Sequence, residues 1–586
     1  MPVANALPRW DLTPYFPGVQ SSEFEEAVRS LNRELELAEE YWRASGIASS
    51  EGVGSDIAAE AVGRLSSIQE QSRLIAGYLE CLVTTDSNDN AAAAALSSFD
   101  QTTVRISKLK TLFTLWIGKQ TDLDFGFPTI SEHAFYIERA QLHSKHLMDA
   151  PLESLVSELQ PSGSTAWSRL HSNFTSQIQV QVDGERLPMT AVRNIAYSPD
   201  REKRRKAYEA ELSAWKLNEL PLAACLNSIK GEVNSLADAR GWHSPLEEAL
   251  FNAHIDRESL DAMMEAANDA FPQFRRYLSS KAKAIGHSKL AFFDLFAPIG
   301  DAKGKWAYPD ACKFVADNFE RFSPELGDFA RRNFRENWID AEPRNGKVGG
   351  AYCCPMIRGE SRILMNYEPS YGSVSVLAHE LGHGYHDMCL SRRSPLNQDT
   401  PMTLAETASI FCETIMKEAA LGKVAESDQL AILEASLQSQ CQVVVDISSR
   451  FLFESAVFEG RRRRELSADE LCKEMLAAQE ATYGDGLDPE FRHPYMWAVK
   501  PHYYSTSSFY NFPYMFGLLF GLGLYSIYQS EPSGFQSRYA ELLSSTGLAD
   551  ARTLADRFGI NIQRKEFWAA SLDQIRRDID RFESLI

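Results

Sequence analysis

Apolar residues recur at helical spacing from the first patterned stretch onward. Between Ser22 and Trp42 they fall at 24, 27, 28, 31, 35, 38 and 42, one face of a 3.6-residue period. Ser22 followed by Glu25 has capping-box spacing, which predicts a helix start there. A second apolar period covers residues 57–83, breaks at residues 86–90 and resumes through an alanine run toward Trp116, predicting antiparallel helices joined by a polar turn. Ile178, Val180 and Val182 alternate instead with Gln177, Gln179 and Gln181, and Asp183-Gly184 follows, the pattern of a β-hairpin. Ser198-Pro199-Asp200 predicts the start of a charged helix over residues 201–215, with proline in its first turn, and helical spacing returns over residues 256–285. Residues 349–367 have two glycines ahead of Ala351-Tyr352-Cys353-Cys354 and Ile363-Leu364-Met365, a short kinked hairpin. So few strands among so many helices predict a mainly α chain of two lobes, divided near Thr190 into residues 1–190 and 191–586.

The chemistry sits in the helix predicted for residues 374–390, which contains His379-Glu380-Leu381-Gly382-His383. Residues four apart share a helix face, with Cβ atoms about 5–6 Å apart, so both imidazoles can reach one metal ion while Glu380 stands beside it as a general base. A second helix, from Thr403 through Glu413, has apolar positions 404, 408, 411 and 415 and small residues suited to close packing; it places Glu406 23 residues after His383. Two His and one Glu leave a fourth position for water, the catalytic form of a zinc site. His386 is seven residues from His379 and too far along the helix to close that site. The metzincin extension is absent too, because it needs Gly at 386 and His at 389, where the chain has His386 and Cys389. Glu413 has two readings, an acid orienting a ligand imidazole or a surface carboxylate. The hairpin at 349–367 also has two, a packing element or an edge that holds an extended peptide by main-chain hydrogen bonds.

With Glu406-Thr407-Ala408-Ser409-x-Phe411-x-Glu413 downstream of the histidine motif, the chain resembles the M3 metallopeptidases, specifically the oligoendopeptidase F branch. The likeness extends to Trp10-Asp11-Leu12, Phe293-Asp294-Leu295-Phe296-Ala297-Pro298, Lys347-Val348-Gly349-Gly350-Ala351-Tyr352, Ile363-Leu364-Met365-Asn366-Tyr367, Pro501-His502-Tyr503-Tyr504 and Phe509-Tyr510. The resemblance implies a helical N-terminal lobe over 1–190, a catalytic domain over 191–586 and a deep substrate channel between the lobes. It further implies one Zn2+ per chain, held by His379, His383 and Glu406. Internal bonds of short, unfolded peptides are the implied substrate, with Gly349, Gly350, Ala351 and Tyr352 as the substrate strand. His502, Tyr510 and Tyr514 are the implied donors to the scissile carbonyl. Ser505-Thr506-Ser507-Ser508 lengthens the family's spacing between His502 and the Phe-Tyr pair, which leaves the choice of tyrosine open.

Charge narrows the partners. The chain carries 80 acidic and 60 basic residues, a formal net charge of −20, which disfavours nucleic acid and anionic membranes. Arg461-Arg462-Arg463-Arg464 precedes Ser467-Ala468-Asp469-Glu470, a capping box, so the run reads as a solvated helix junction. Residues 501–530 contain no Asp, Glu, Lys or Arg, but only 13 residues, 512–524, are strongly apolar, which suits a buried helix rather than a span of about 20. Nine cysteines without paired spacing point to a reducing, cytoplasmic setting, and residues 1–10 lack a secretory pattern. Asn173-Phe174-Thr175 then reads as a chance sequon.

Two rival functions stay open at this point. An aminopeptidase of the same helix geometry usually carries Gly-x-Met-Glu-Asn, which Gly350-Ala351-Tyr352-Cys353-Cys354 does not match. A non-enzymatic peptide-binding relative would have no need of all four of His379, Glu380, His383 and Glu406.

Overall fold

The computed structural model describes residues 7–51, 53–300 and 306–586. Residues 1–6, most of the segment read for a leader, lie outside them. The described chain is mainly α, and its strands form one two-stranded and one three-stranded sheet.

The first helix, α1 (Ser22–Ala44), buries Phe24, Leu31, Leu35, Ala38 and Trp42, the face its periodicity predicts. Its cap is Ser21 and not Ser22: the Ser21 hydroxyl accepts from the Phe24 amide at 3.2 Å. Helices α2 (Ser55–Thr85) and α3 (Asn90–Ile117) follow, separated by the predicted polar turn. The Asp89 carboxylate closes that turn by accepting from the amides of Ala91 and Ala92.

By packing, the chain divides into two compact units, each built from three separate stretches: 1–150, 303–422 and 527–558, and 151–302, 423–526 and 559–586. A single cut near Thr190 does not describe this packing. The reason lies in the core around α1–α3, where Leu31, Leu35, Trp42, Leu65 and Phe113 cluster with Cys354, Met356 and Leu396 from much later in the sequence.

The hairpin pairs β1 (Gln179–Val182) with β2 (Glu185–Pro188), Val180 opposite Leu187 and Val182 opposite Glu185. Asp183 and Gly184 turn it with φ of 50° and 88°, the left-handed backbone that a two-residue turn of this hand needs. The charged helix runs Arg201–Leu217; Asp200 caps it, which puts Pro199 ahead of the cap rather than in the first turn.

Strands β3 (Ile339–Asp340), β4 (Tyr352–Pro355) and β5 (Ser361–Leu364) order as β3-β5-β4, so β4 is an edge paired only to β5. Helix α4 (Tyr371–Leu390) follows, and α5 (Thr407–Leu421) packs along it more extensively than any other helix pair. The helix expected from Thr403 through Glu413 is interrupted: a turn at Met402–Ala405 ends, Glu406 takes φ −83° and ψ 1°, and α5 starts at Thr407.

In the second unit, α6 (Glu426–Cys441) runs through a π-helical turn, Gln442–Asp446, into α7 (Ile447–Arg463). The arginine run ends α7, and Ser467 with Glu470 forms the predicted capping box of the next helix. Helix α8 (Phe512–Ser530) buries nearly all of its residues up to Tyr525. Among the described residues no helix is long and apolar enough to cross a membrane.

Candidate metal centre

The face of α4 that carries His379 and His383 meets Glu406 at the break before α5. His379 Nε2 and His383 Nε2 are 3.3 Å apart, and Glu406 Oε2 lies 3.3 Å from the first and 3.4 Å from the second. These three edges form a nearly equilateral triangle of donors. A tetrahedral zinc site with bonds of about 2.0–2.1 Å has edges of about 3.3–3.4 Å, so the residues present fit the ion without rearrangement. Among the described residues they are also the one group of three or more His, Cys, Asp or Glu able to hold a metal.

The outer contacts orient these donors. Glu413 Oε2 lies 3.4 Å from His379 Nδ1, the ring nitrogen not shared with His383 and Glu406, and its Oε1 accepts from Ser375 Oγ at 3.0 Å. Glu413 thus stands beside His379 with its side chain 36% exposed. Ser409 Oγ donates to Glu406 Oε2 at 2.8 Å, three residues on and across the helix break. In the sequence Ser409 stands only as part of the Glu406–Glu413 pattern, and its contact with Glu406 is not foreseen there.

Electrostatics favour a cation here. Burial by itself would lower the His379 imidazole, but the carboxylates of Glu406 and Glu413 outweigh it and hold the ring well above its ordinary value. Burial likewise would raise Glu406, and the two imidazoles hold its carboxyl well below the carboxylate range. Glu380 behaves differently. Burial pushes its carboxyl up, with His379 and His383 pulling the other way, and its buried Oε2 has no hydrogen-bond partner. A carboxylate with one uncommitted oxygen and a raised proton affinity is equipped to accept a proton from water. His386 turns away from the centre, its Nε2 2.9 Å from Thr546 Oγ1 in the core.

Close approach of α4 and α5 depends on glycine. A Cβ on Gly382 would lie 2.6 Å from Ser409 Cα and 2.7 Å from Ala408 O, main-chain atoms that cannot yield.

Strand β4 enters from the turn at Gly349 and Gly350. Gly350 has φ +85°, and Asn366 Nδ2 donates to the carbonyls of Val348 at 3.0 Å and Gly350 at 3.2 Å, pinning that turn. Ala351 leads into Tyr352, whose hydroxyl is 2.6 Å from Thr84 Oγ1 at the end of α2. Further along, α2 backs the strand closely: a Cβ on Gly77 would meet Met356 Sδ at 3.1 Å and Cys354 Sγ at 3.2 Å. Beside this strand a cavity of about 850 Å³ is lined by residues including Arg73, Phe99, Cys354, Arg358 and Asp387. Burial pushes the Asp387 carboxyl up to about 7 against the pull of His383 and Arg73.

The other three expected residues lie in the second unit and come together there. The His502 and Tyr510 rings stack at 4.8 Å between centroids and 11° between planes, and the Tyr514 hydroxyl donates to that of Tyr510 at 3.3 Å. Burial, with Arg450 and Lys500 nearby, lowers the His502 imidazole, and its buried Nδ1 has no hydrogen-bond partner.

Residues 194–574 match Peptidase family M3, and residues 128–179 match Oligopeptidase F. An oligoendopeptidase F homolog of Lactococcus lactis subsp. lactis is 25% identical over 398 residues, 67% of this chain and 66% of its own length. Oligopeptidase PepF of Bacillus subtilis is 23% identical over 460 residues, 77% of this chain and 68% of its own. Alignments thus span about two thirds of these relatives' length. Among solved structures, a protein of Chlamydophila abortus superimposes with a TM-score of 0.83 at 19% identity, covering 99% of this chain and 98% of that one. Oligoendopeptidase-F from Enterococcus faecium gives 0.70 at 18% identity, covering 96% and 98%. These structural likenesses speak for the fold.

Proposed function

The chain belongs to peptidase family M3, in the oligoendopeptidase F branch of metalloendopeptidases, and from that premise we propose that it hydrolyses internal bonds of short, unfolded peptides with one zinc ion per chain. The observation that carries the metal is the donor triangle of His379, His383 and Glu406, with edges of 3.3 to 3.4 Å. Zinc, when bound, supplies the Lewis acid that acidifies water, from a pKa of 15.7 toward about 7 in favourable sites, and polarises the scissile carbonyl.

The chain's own residues supply the rest. Glu380 Oε2 takes the proton of the attacking water, and the same carboxyl later gives it to the leaving amine. Its buried, partnerless oxygen supports that role. Tyr510 and His502 are assigned to the oxygen that becomes negative, with Tyr514 setting the Tyr510 hydroxyl; such donors typically contribute about 10² to 10³ in rate. The Gly349, Gly350, Ala351 and Tyr352 segment is assigned to the substrate main chain, which would make cleavage tolerant of sequence. The two family segments fall on either side of residue 190, so we keep residues 1–190 and 191–586 as a proposed division by ancestry, separate from the packing units. Nine free thiols and the net negative charge support a cytoplasmic enzyme with no nucleic-acid or membrane partner.

The test is mass spectrometry of N-acetylated short peptides and one folded protein incubated with the purified chain, with and without a zinc chelator. Internal cuts in the peptides alone, lost with chelator and restored by zinc, are the expected result. Glu380→Gln should keep its zinc and lose at least about 10³ in kcat, within the usual range for a general base. Cleavage restricted to free N-termini would point to an aminopeptidase, and a zinc-loaded chain that cuts nothing to a binding protein.

A further inference from the structure

Helix α7 carries a device that the chemistry above does not use. The π turn at Gln442–Asp446 shifts the register of the side chains that follow, and such turns are frequent at functional sites. It ends at Asp446, whose Oδ2 accepts from Arg450 Nε at 2.8 Å, a pair with side chains only 9% and 14% exposed. Arg450 then reaches on. Its Nη1 donates to Asn511 Oδ1 at 2.9 Å, and Asn511 is buried.

Asn511 directly follows Tyr510 and directly precedes α8. On the other side of Tyr510, Phe509 has φ +53°, a left-handed backbone that a bulky residue adopts only when its surroundings enforce it. The enforcement is visible: the Phe509 ring packs on Phe451 at 5.2 Å and on Phe458 at 5.5 Å, both from α7. Tyr510 is therefore held from both neighbours by one helix, on one side by packing and on the other by a charge-assisted hydrogen bond.

We propose that Arg450 is a positioning residue for the hydrolysis, anchored by Asp446 and gripping Asn511 so that the Tyr510 hydroxyl is fixed where the negative oxygen develops. This rests on the reading of Tyr510 given above. Misplacement of a reacting group by about 1 Å can cost about 10²-fold in rate, so the grip acts on kcat and leaves substrate binding alone.

The experiment measures kcat and KM of the zinc-loaded full chain on an N-acetylated, internally quenched oligopeptide, with circular dichroism as the folding control. Asn511→Leu preserves bulk but cannot accept from Arg450; it should lower kcat by about tenfold to 10²-fold with KM within about twofold of wild type. Asn511→Asp keeps an acceptor and should stay within about threefold of wild-type kcat. In a Tyr510→Phe background, Asn511→Leu should cost less than about twofold more, because both changes act through one hydroxyl. If Asn511→Leu does not fold, Arg450→Lys, which cannot span Asp446 and Asn511 together, is read the same way. Equal losses in the Leu and Asp variants, or a full additional loss in the Tyr510→Phe background, would overturn the proposal. Wild-type kcat in Tyr510→Phe alone would instead sink the assignment of that tyrosine.

Discussion

Glu413 stands behind His379, 3.4 Å from Nδ1, and is itself held by Ser375. A ligand imidazole with a fixed tautomer and a carboxylate at its back is a stronger donor than a free one, and loss of such a partner typically costs about 10- to 100-fold in metal affinity. Glu413→Ala should show that weakening in a competitive zinc titration while the fold persists; unchanged affinity would return Glu413 to the surface. Much at this scale was legible in the sequence. His379, Glu380 and His383 declare themselves by spacing inside a single helix, which needs no knowledge of the fold. Ser409 and Asn366 do not, because a serine donating to Glu406 and an asparagine pinning Val348 and Gly350 acquire their roles only when the chain has folded back.

Helix periodicity placed most elements, since a buried face repeats every three to four residues whatever it packs against. Breaks were harder to read. The interruption at Glu406 carries no proline or glycine at that position to announce it, and the carboxylate at the break lies within 3.4 Å of both imidazoles. Gly382, which a His-Glu-x-x-His reading leaves unspecified, lies against the main chain of α5 at Ala408 and Ser409. Gly382→Ala would gain about 1 kcal/mol in helix propensity, yet its Cβ meets main chain at 2.6 and 2.7 Å, and overpacking of that kind costs about 1–3 kcal/mol or more. The net expectation is a lower Tm together with weaker zinc binding, because the atoms pushed away include Ser409. Gly372→Ala, in the first turn of the same helix, is the control: its Cβ meets only Ser370 Oγ at 3.7 Å, so its Tm should hold or rise. Equal Tm values for the two variants would refute the close-approach argument.

At the scale of the whole chain, the order of residues and the order of packing part company. Local patterns suggested one boundary near Thr190 because the hairpin β1–β2 and the charged helix after it look like the start of something new. Each packing unit instead gathers three distant stretches, and pairing over such separations leaves no mark on local composition. The consequence is testable with a fragment. Residues 191–586 retain both histidines, Glu406 and the strand β4, but lack α1–α3, which provide most of the apolar cluster that encloses Cys354, Met356 and Leu396. Without them the far end of β4 and the segment after α4 would expose buried apolar surface, and each large side chain so exposed forfeits roughly 1.5–3 kcal/mol, against a total stability of only about 5–15 kcal/mol for a typical domain. The fragment is therefore expected to unfold without a cooperative thermal transition, to be cut rapidly by proteases between residues 350 and 400, and to bind zinc far more weakly than the full chain. Adding residues 1–150 in trans should restore protection to that segment if the core of the first unit is what stabilises it. A fragment that melted cooperatively at the Tm of the intact protein would show that the 191–586 stretch folds by itself and that the proposed ancestral division is also a physical one.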